Sequence, residues 1–309
     1  MRLVFAGTPA PAVPSLRALV ARGHDIRLAV TRADAPLGRK RLLTPSPVAV
    51  AAEELGIEVV RADRLDADVT ARIAAEQPDL GVIVAYGGLV REPLLSTPVH
   101  GWINLHFSLL PRWRGAAPVQ RALIAGDATT GASVFQLVAD LDAGDVFGEL
   151  EIIVPPGATA GRLLEDLAVA GAELLADVVT AIGEGTAVAT RQQGEPTYAA
   201  KLGDDDGRIR WDEPQAAVLG RIRGVTPEPG AHTTVGGARL KILAAEPVDE
   251  STDARVLAPG EITGDGRRVL VGTATAPVAL ESVQPAGRGP MRAADWWRGL
   301  RDAPAEVGS

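Results

Sequence analysis

Leu80-Gly81-Val82-Ile83-Val84-Ala85 carries no polar side chain at any position. Side chains alternate between the two faces of a strand, so an apolar run at both parities predicts a strand covered on both sides. A parallel sheet with helices on each face provides that cover. The rest of the first half fits the same frame. Strand-like Leu3–Ala6, Ile26–Val30, Ile57–Val60, Trp102–Leu105, Ser133–Val138 and Glu149–Val154 alternate with helical patterns at Pro14–Ala21, Val48–Leu55, Val69–Glu76 and Pro118–Ala125. Arg162–Ile182 reads as a long Ala/Leu-rich helix that closes the layer. The expected architecture is α/β, a Rossmann-like, doubly wound and mostly parallel sheet.

The texture changes after about residue 190. Gly183–Gly194 and Gly203-Asp204-Asp205-Asp206-Gly207 read as linker and turn material. One helical stretch follows, Gln215–Arg223, and then short strands at Arg239–Ala244, Gly260–Ile262, Val269–Val271 and Val278–Val283, separated by Gly, Pro and Asp. Short strands with such turns predict a small OB-like β-barrel. With 309 residues to divide, we expect a catalytic domain over 1–189, a linker over 190–206 and a barrel domain over 207–309.

Composition excludes several chemistries. There is no cysteine, so disulfide scaffolds, thiolate metal sites and cysteine nucleophiles are ruled out. Four histidines and no ligand-spaced cluster predict catalysis without a metal. No apolar run reaches the length of a membrane span, and Met1-Arg2 leads straight into a strand rather than a leader peptide. A cytoplasmic chain is expected, with no membrane partner. Net charge is −8, but residues 1–206 carry 18 basic and 26 acidic side chains while 207–309 carry 13 of each. Two local basic features interrupt the acidic background. They are Arg39-Lys40-Arg41 and a scatter of arginines in the last third.

Two segments are candidates for chemistry. Phe5-Ala6-Gly7-Thr8-Pro9 runs from a strand into a turn, but its prolines and missing glycines exclude a dinucleotide fingerprint, and a tight turn is the simpler reading. The second is far more specific. Asn104-Leu105-His106 ends a strand at the carboxyl edge of the predicted sheet, where open α/β folds bind ligands. Asn104 and His106 share one strand face. An amide donor beside an imidazole suits acyl transfer, the amide holding an oxyanion and the imidazole a proton. A carboxylate to orient the imidazole is available in Asp140-Leu141-Asp142-Ala143-Gly144-Asp145, although spacing does not choose among its three aspartates.

Asn104-x-His106, Ser108-Leu109-Leu110-Pro111 and the later Leu141-Asp142-x-Gly144-Asp145 resemble the folate-dependent formyltransferase superfamily. Within it, the chain is similar to the methionyl-tRNA formyltransferase family along almost its full length. Phe5–Pro9, Val84-Ala85-Tyr86-Gly87, Ser108–Gln120 and Tyr198-Ala199-x-Lys201 carry that likeness. The resemblance implies transfer of a formyl group from 10-formyltetrahydrofolate to the amino group of initiator methionyl-tRNA. It assigns Asn104 to the oxyanion, His106 to the proton and Asp142 to orienting His106, through a water. Ser108, Leu109, Leu110 and Pro111 would contact the folate, with backbone at Tyr86, Gly87, Gly88 and Leu89 closing the pterin pocket. Arg39, Lys40 and Arg41 would grip the tRNA acceptor end, with further phosphate contacts from the barrel. Two positions depart from the family pattern, Phe107 after the histidine and Arg210 before Trp211.

Alternative readings keep the same trio but change the acceptor to a nucleotide sugar, glycinamide ribonucleotide or water. A reading from another class makes the chain a non-catalytic RNA-binding protein, against which the intact Asn/His/Asp set argues. Nothing in the sequence requires an oligomer, and a monomer is expected.

Overall fold

The computed structural model describes residues 1–37, 41–248, 257–300 and 305–308. The chain divides into two compact units. The first comprises residues 1–118, 129–152 and 164–199, and the second 119–128, 153–163 and 200–309.

The first unit is built on β1 (Arg2–Gly7), β2 (Asp25–Thr31), β3 (Val59–Arg61), β4 (Leu80–Val84), β5 (Trp102–His106), β6 (Thr129–Gln136) and β7 (Val146–Ile153). They form one sheet in the order β7-β6-β5-β4-β1-β2-β3. β1 to β5 pair in parallel, and β6 returns antiparallel to β5. Strand order therefore reverses between β1 and β4, and the crevice at the carboxyl ends of these strands is where such sheets accept ligands. Helices α1 (Val13–Ala21), α2 (Pro47–Glu54) and α3 (Ala67–Ala75) connect the early strands, and α5 (Ala160–Glu184) follows β7. The Ser46 hydroxyl caps α2 and the Asp66 carboxylate caps α3, each accepting from a backbone N–H of the first turn.

The run that begins at Leu80 is buried at every position of β4. Gly81 lies opposite Trp102 in the parallel register, and a Cβ there would collide with the indole. The glycine makes room for the ring, which is fully buried and donates from Nε1 to the Leu94 carbonyl at 2.9 Å. Trp102 joins Val4, Ala6, Leu28, Val30, Ile73, Ile83, Tyr86 and Leu94 in one apolar cluster. Strand alternation puts Asn104 and His106 on the same face of β5 as Trp102. That face is thus apolar at its start and polar at its carboxyl end. Leu105, of opposite parity, packs beside Gly171 of α5.

The second unit holds β8 (His232–Val235), β9 (Ala238–Pro247), β10 (Ile262–Gly264), β11 (Val269–Val271), β12 (Val278–Pro285) and β13 (Met291–Arg292), with α4 (Pro118–Ala125, from Val119 on), α6 (Gln215–Gly224) and α7 (Ala293–Arg298). Its antiparallel sheet runs β8-β9-β12-β11-β10, with β13 on the side of β12. Residues 305–308 close the gap between the edge strands. Gly308 exchanges backbone hydrogen bonds with Thr234 of β8, and Ile262 of β10 donates to Ala305. Val307 lies 6% exposed in the core of this unit with Trp211, Ile222, Ile242 and Val283. This is the OB-like barrel expected, but its closing segment and β8 are not foreshadowed by the sequence pattern. Single apolar residues such as Val307 carry no periodicity to find. Trp211, after the departing Arg210, is a core residue whose Nε1 donates to Thr233 Oγ1 at 3.0 Å.

Among the described residues, no helix is long and apolar enough to cross a membrane.

Candidate active site

β5 ends at His106, and Ile83 of β4 lies opposite Asn104. The segment after β4 therefore leaves the sheet beside the Asn104–His106 pair. His106 is 6% exposed, its ring edge-on to the buried Phe135 with centroids 6.3 Å apart. Its Nε2 lies 2.8 Å from the backbone carbonyl of Trp113. A carbonyl only accepts, so Nε2 carries the proton and the lone pair of the neutral ring sits on Nδ1. Nδ1 faces Asp142 Oδ2 at 3.8 Å, beyond direct hydrogen-bond range. Burial pushes the imidazole below its ordinary range, against the Asp142 charge and the Trp113 carbonyl, which pull it up. A neutral ring with a free Nδ1 lone pair is a proton acceptor.

Spacing left three aspartates open, and burial separates them. Asp140 and Asp145 are exposed, whereas Asp142 is 8% exposed. Asp142 has φ +47°, a left-handed conformation that Asp tolerates better than most residues. Its Oδ2 accepts the Gly115 N–H at 2.7 Å. Gly144 completes this turn, because a Cβ there would collide with the Gln136 carbonyl oxygen. Asn104 is half-buried, and its Oδ1 has no hydrogen-bond partner among the described residues. A buried amide oxygen left unpaired costs about 1–3 kcal/mol, a penalty usually tolerated where a ligand completes the set.

The remaining sequence candidates divide between side-chain and backbone placement. Ser108 is fully buried, its hydroxyl donating to the Arg112 carbonyl at 2.6 Å and its own carbonyl accepting from Ser133 Oγ at 2.7 Å. Leu110 and Pro111 are buried, and Leu109 is half-buried. Phe107 is also buried, at 6%. The Tyr86 ring belongs to the apolar cluster and its hydroxyl donates to the Ala62 carbonyl at 2.7 Å, so only its backbone reaches the strand end. That backbone is held from both sides. Thr8 Oγ1 donates to the Tyr86 carbonyl at 3.2 Å, and the Arg32 guanidinium donates to the Gly87 carbonyl. Gly88 is half-buried and Leu89 is 66% exposed. Arg41 sits at φ +48° between the short strands Ala35–Leu37 and Leu42–Thr44. Arg39 and Lys40 lie outside the described residues. Among the described residues, no group of three or more His, Asp or Glu is placed to hold a metal ion.

Sequence reasoning missed the Trp113 carbonyl, a backbone group that no side-chain pattern announces. It also missed Thr8 and Arg32, of which the first was read only as part of a turn.

A family profile described as formyl transferase matches residues 1–179, and one described as formyl transferase, C-terminal domain, matches residues 201–301. The chain is 62% identical over 299 residues to a methionyl-tRNA formyltransferase of Leifsonia xyli, covering 97% of each chain. It is 64% identical over 300 residues to one of Clavibacter sepedonicus, again covering 97% of each. Among solved structures, an N-formyltransferase from Helicobacter canadensis in complex with folinic acid and dTDP-3-aminofucose shares the fold. The TM-score is 0.69 at 14% identity, over 92% of this chain and 98% of that one. With both profiles matched and relatives this similar along nearly the whole length, the chain belongs to the methionyl-tRNA formyltransferase family.

Proposed function

We propose that this enzyme transfers the formyl group of 10-formyltetrahydrofolate to the free amino group of initiator methionyl-tRNA. The observation that carries the reading is the convergence of Asn104, neutral His106 and buried Asp142 at the carboxyl end of β5, in a chain whose relatives bear that name over 97% of their length. Those relatives favour this acceptor over a nucleotide sugar or glycinamide ribonucleotide.

The amide of Asn104 donates from Nδ2 to the oxygen of the formyl group as the amine adds to its carbon, and that oxygen gains negative charge in the transition state. Its Oδ1, without a partner among the described residues, accepts an N–H of the same assembly. His106 takes the proton of the attacking nitrogen on Nδ1, while its Nε2–H goes on donating to the Trp113 carbonyl. Asp142 lies 3.8 Å from Nδ1. A separation of that size suits indirect support of the imidazolium, by charge or through a water, better than a direct bond. His106 then returns the proton to the departing folate nitrogen.

The donor set suits a folate. Backbone edges after β4, held by Thr8 and Arg32, offer donors and acceptors to a pterin, and Leu109 and Leu110 with Pro111 offer apolar walls. Arg39, Lys40 and Arg41 supply phosphate contacts, which explains RNA binding by a chain of net charge −8. We place the enzyme in the cytoplasm as a monomer, where translation supplies its substrate.

A single-turnover assay with 10-formyltetrahydrofolate tests this reading, with charged initiator tRNA, uncharged tRNA and an amino sugar nucleotide run side by side. Formyl-methionine formed only with the charged tRNA is the expected result. Folate turnover without that product would move the reaction to another amine or to water, and no turnover would overturn it.

A further inference from the structure

The two polar groups described against the His106 ring nitrogens are presented by left-handed backbone at non-glycine residues. Trp113, whose carbonyl accepts the hydrogen bond from Nε2–H, has φ +59°, and Asp142, which faces Nδ1, has φ +47°. Such conformations persist only when the surroundings over-determine them. Besides the Gly115 N–H on Asp142, one segment, 190–199, bears on both, and the sequence suggests that it is linker. Thr190 exchanges backbone hydrogen bonds with Val146. Tyr198–Ala199 then pairs in parallel with Arg114–Gly115.

Between these anchors, Thr197, by side chain and backbone, and Gln192, by its side chain, act on the two partners of the imidazole. The Trp113 N–H donates to Thr197 Oγ1 at 2.9 Å, and the Arg114 N–H donates to the Thr197 carbonyl at 2.8 Å. The Arg114 N–H and the Trp113 carbonyl belong to one planar peptide unit, so fixing the first fixes the direction of the second. Gln192 does the same for Asp142. Its Nε2 donates to the carbonyls of Asp142 at 2.8 Å and Gly144 at 2.9 Å. Its Oε1 accepts from Arg114 Nε at 3.2 Å and Nη2 at 2.5 Å. Two carbonyls on one side and a guanidinium on the other leave a single orientation for this amide.

We propose that Gln192 and Thr197 are positioning residues of the formyl-transfer site, forming with segment 190–199 a strap that sets the tautomer and tilt of His106 by holding the Trp113 carbonyl and the Asp142 turn in place. The assignment of a role in catalysis rests on the function proposed above, whereas the effect on His106 does not.

The test uses the full-length protein with ¹⁵N-labelled histidine, in which only four imidazoles report, together with steady-state kinetics. Thr197→Val keeps shape but removes Oγ1, Thr197→Ser restores it, and Gln192→Leu removes the amide. Thermal unfolding checks that each variant is folded. In Thr197→Val and Gln192→Leu, kcat is expected to fall about 10- to 100-fold, with KM for both substrates within about twofold, the range of a misaligned catalytic group. The His106 ¹⁵N signals move from one fixed tautomer toward averaged values, and Thr197→Ser recovers both kcat and signals. Unmoved His106 signals with kcat within about twofold of wild type in both folded variants would overturn the strap. Displaced signals in a protein that transfers no formyl group would uphold the strap and overturn the assigned reaction instead.

Discussion

The Trp113 carbonyl, 2.8 Å from His106 Nε2, decides which nitrogen of the ring can act as a base. With Nε2 committed as a donor, proton uptake occurs at Nδ1, on the side of Asp142. Burial lowers the imidazole below its ordinary range and the Asp142 charge partly restores it. The acid limb of the kcat profile is therefore expected below the ordinary histidine value. Asp142→Asn removes the restoring charge, so that limb moves lower still while kcat at neutral pH falls about 100-fold. The stability consequence has a defined sign. At neutral pH folded and unfolded imidazoles are both neutral, but as pH falls through the ordinary value the unfolded chain gains a proton that the folded ring resists. Stability is expected to drop from that pH down to the lowered folded value, and His106→Gln flattens this part of the curve. Stopped-flow formyl transfer and denaturant titrations across pH measure the two effects.

Asn104 separates activity from stability. Its Oδ1 is buried without a partner among the described residues, so truncation removes an unsatisfied atom as well as some packing. Asn104→Ala is expected to reduce kcat about 100- to 1,000-fold, the usual loss on deleting one oxyanion donor. Its melting temperature stays within about 3 °C of wild type, because small changes in packing and desolvation offset one another. Calorimetry beside the transfer assay decides the point. A variant that was both active and destabilised would mean that the amide serves the fold alone.

The basic segment offers a salt-dependent readout. Replacing Arg39, Lys40 and Arg41 together with alanine should raise KM for the charged tRNA and leave folate affinity unchanged. The slope of log affinity against log salt falls by roughly 2–3 if all of them contact phosphates. Filter binding at several salt concentrations measures it, and an unchanged slope would remove the segment from the tRNA contact.

The parallel sheet was legible because burial on both faces writes itself into consecutive residues, as at Leu80–Val84. Asn104 and His106 were legible as a pair because strand parity is fixed. What stayed hidden depends on tertiary contact. Spacing alone does not separate Asp142 from Asp140 and Asp145; the family resemblance assigns it, and only in the fold do its burial and the Gly115 N–H set it apart. Tyr86 has the composition of a site residue, yet its ring fills the core and its hydroxyl is tied to Ala62. The segment 190–199 is polar and glycine-containing, the texture of a linker. Its hydrogen bonds to Trp113, Arg114 and Asp142 exist only once the chain has folded.

Gly81 is the one interior position of β4 where a methyl group is expected to be intolerable. Its overlap with Trp102 cannot be relieved by rotating a buried indole that is hydrogen-bonded to Leu94. Gly81→Ala should destabilise the fold by about 1–3 kcal/mol or more through overpacking. Pairing it with Trp102→Phe, which loses ring volume at that contact, should return part of the loss. A double-mutant cycle in urea tests the coupling, and strictly additive effects would mean that the strand shifts to accommodate the methyl group.

The barrel of the second unit is closed by its last described residues rather than by a long strand. Gly308 and Ala305 bridge Thr234 and Ile262, Val307 donates to the Gly260 carbonyl, and the Val307 side chain is buried with Trp211. Deleting residues 305–309 leaves two strand edges unpaired and opens the core at Val307. A buried valine is worth about 1.5–3 kcal/mol, and each lost backbone bond adds roughly 0.5–1.5 kcal/mol where water does not replace it. With four such bonds lost, a loss of about 4–9 kcal/mol is therefore expected, together with greater exposure of Trp211. Tryptophan fluorescence during urea unfolding reads both. Val307→Ala, which keeps the backbone bridge, should lose only the side-chain share, and a truncation no worse than Val307→Ala would show that the backbone closure contributes nothing.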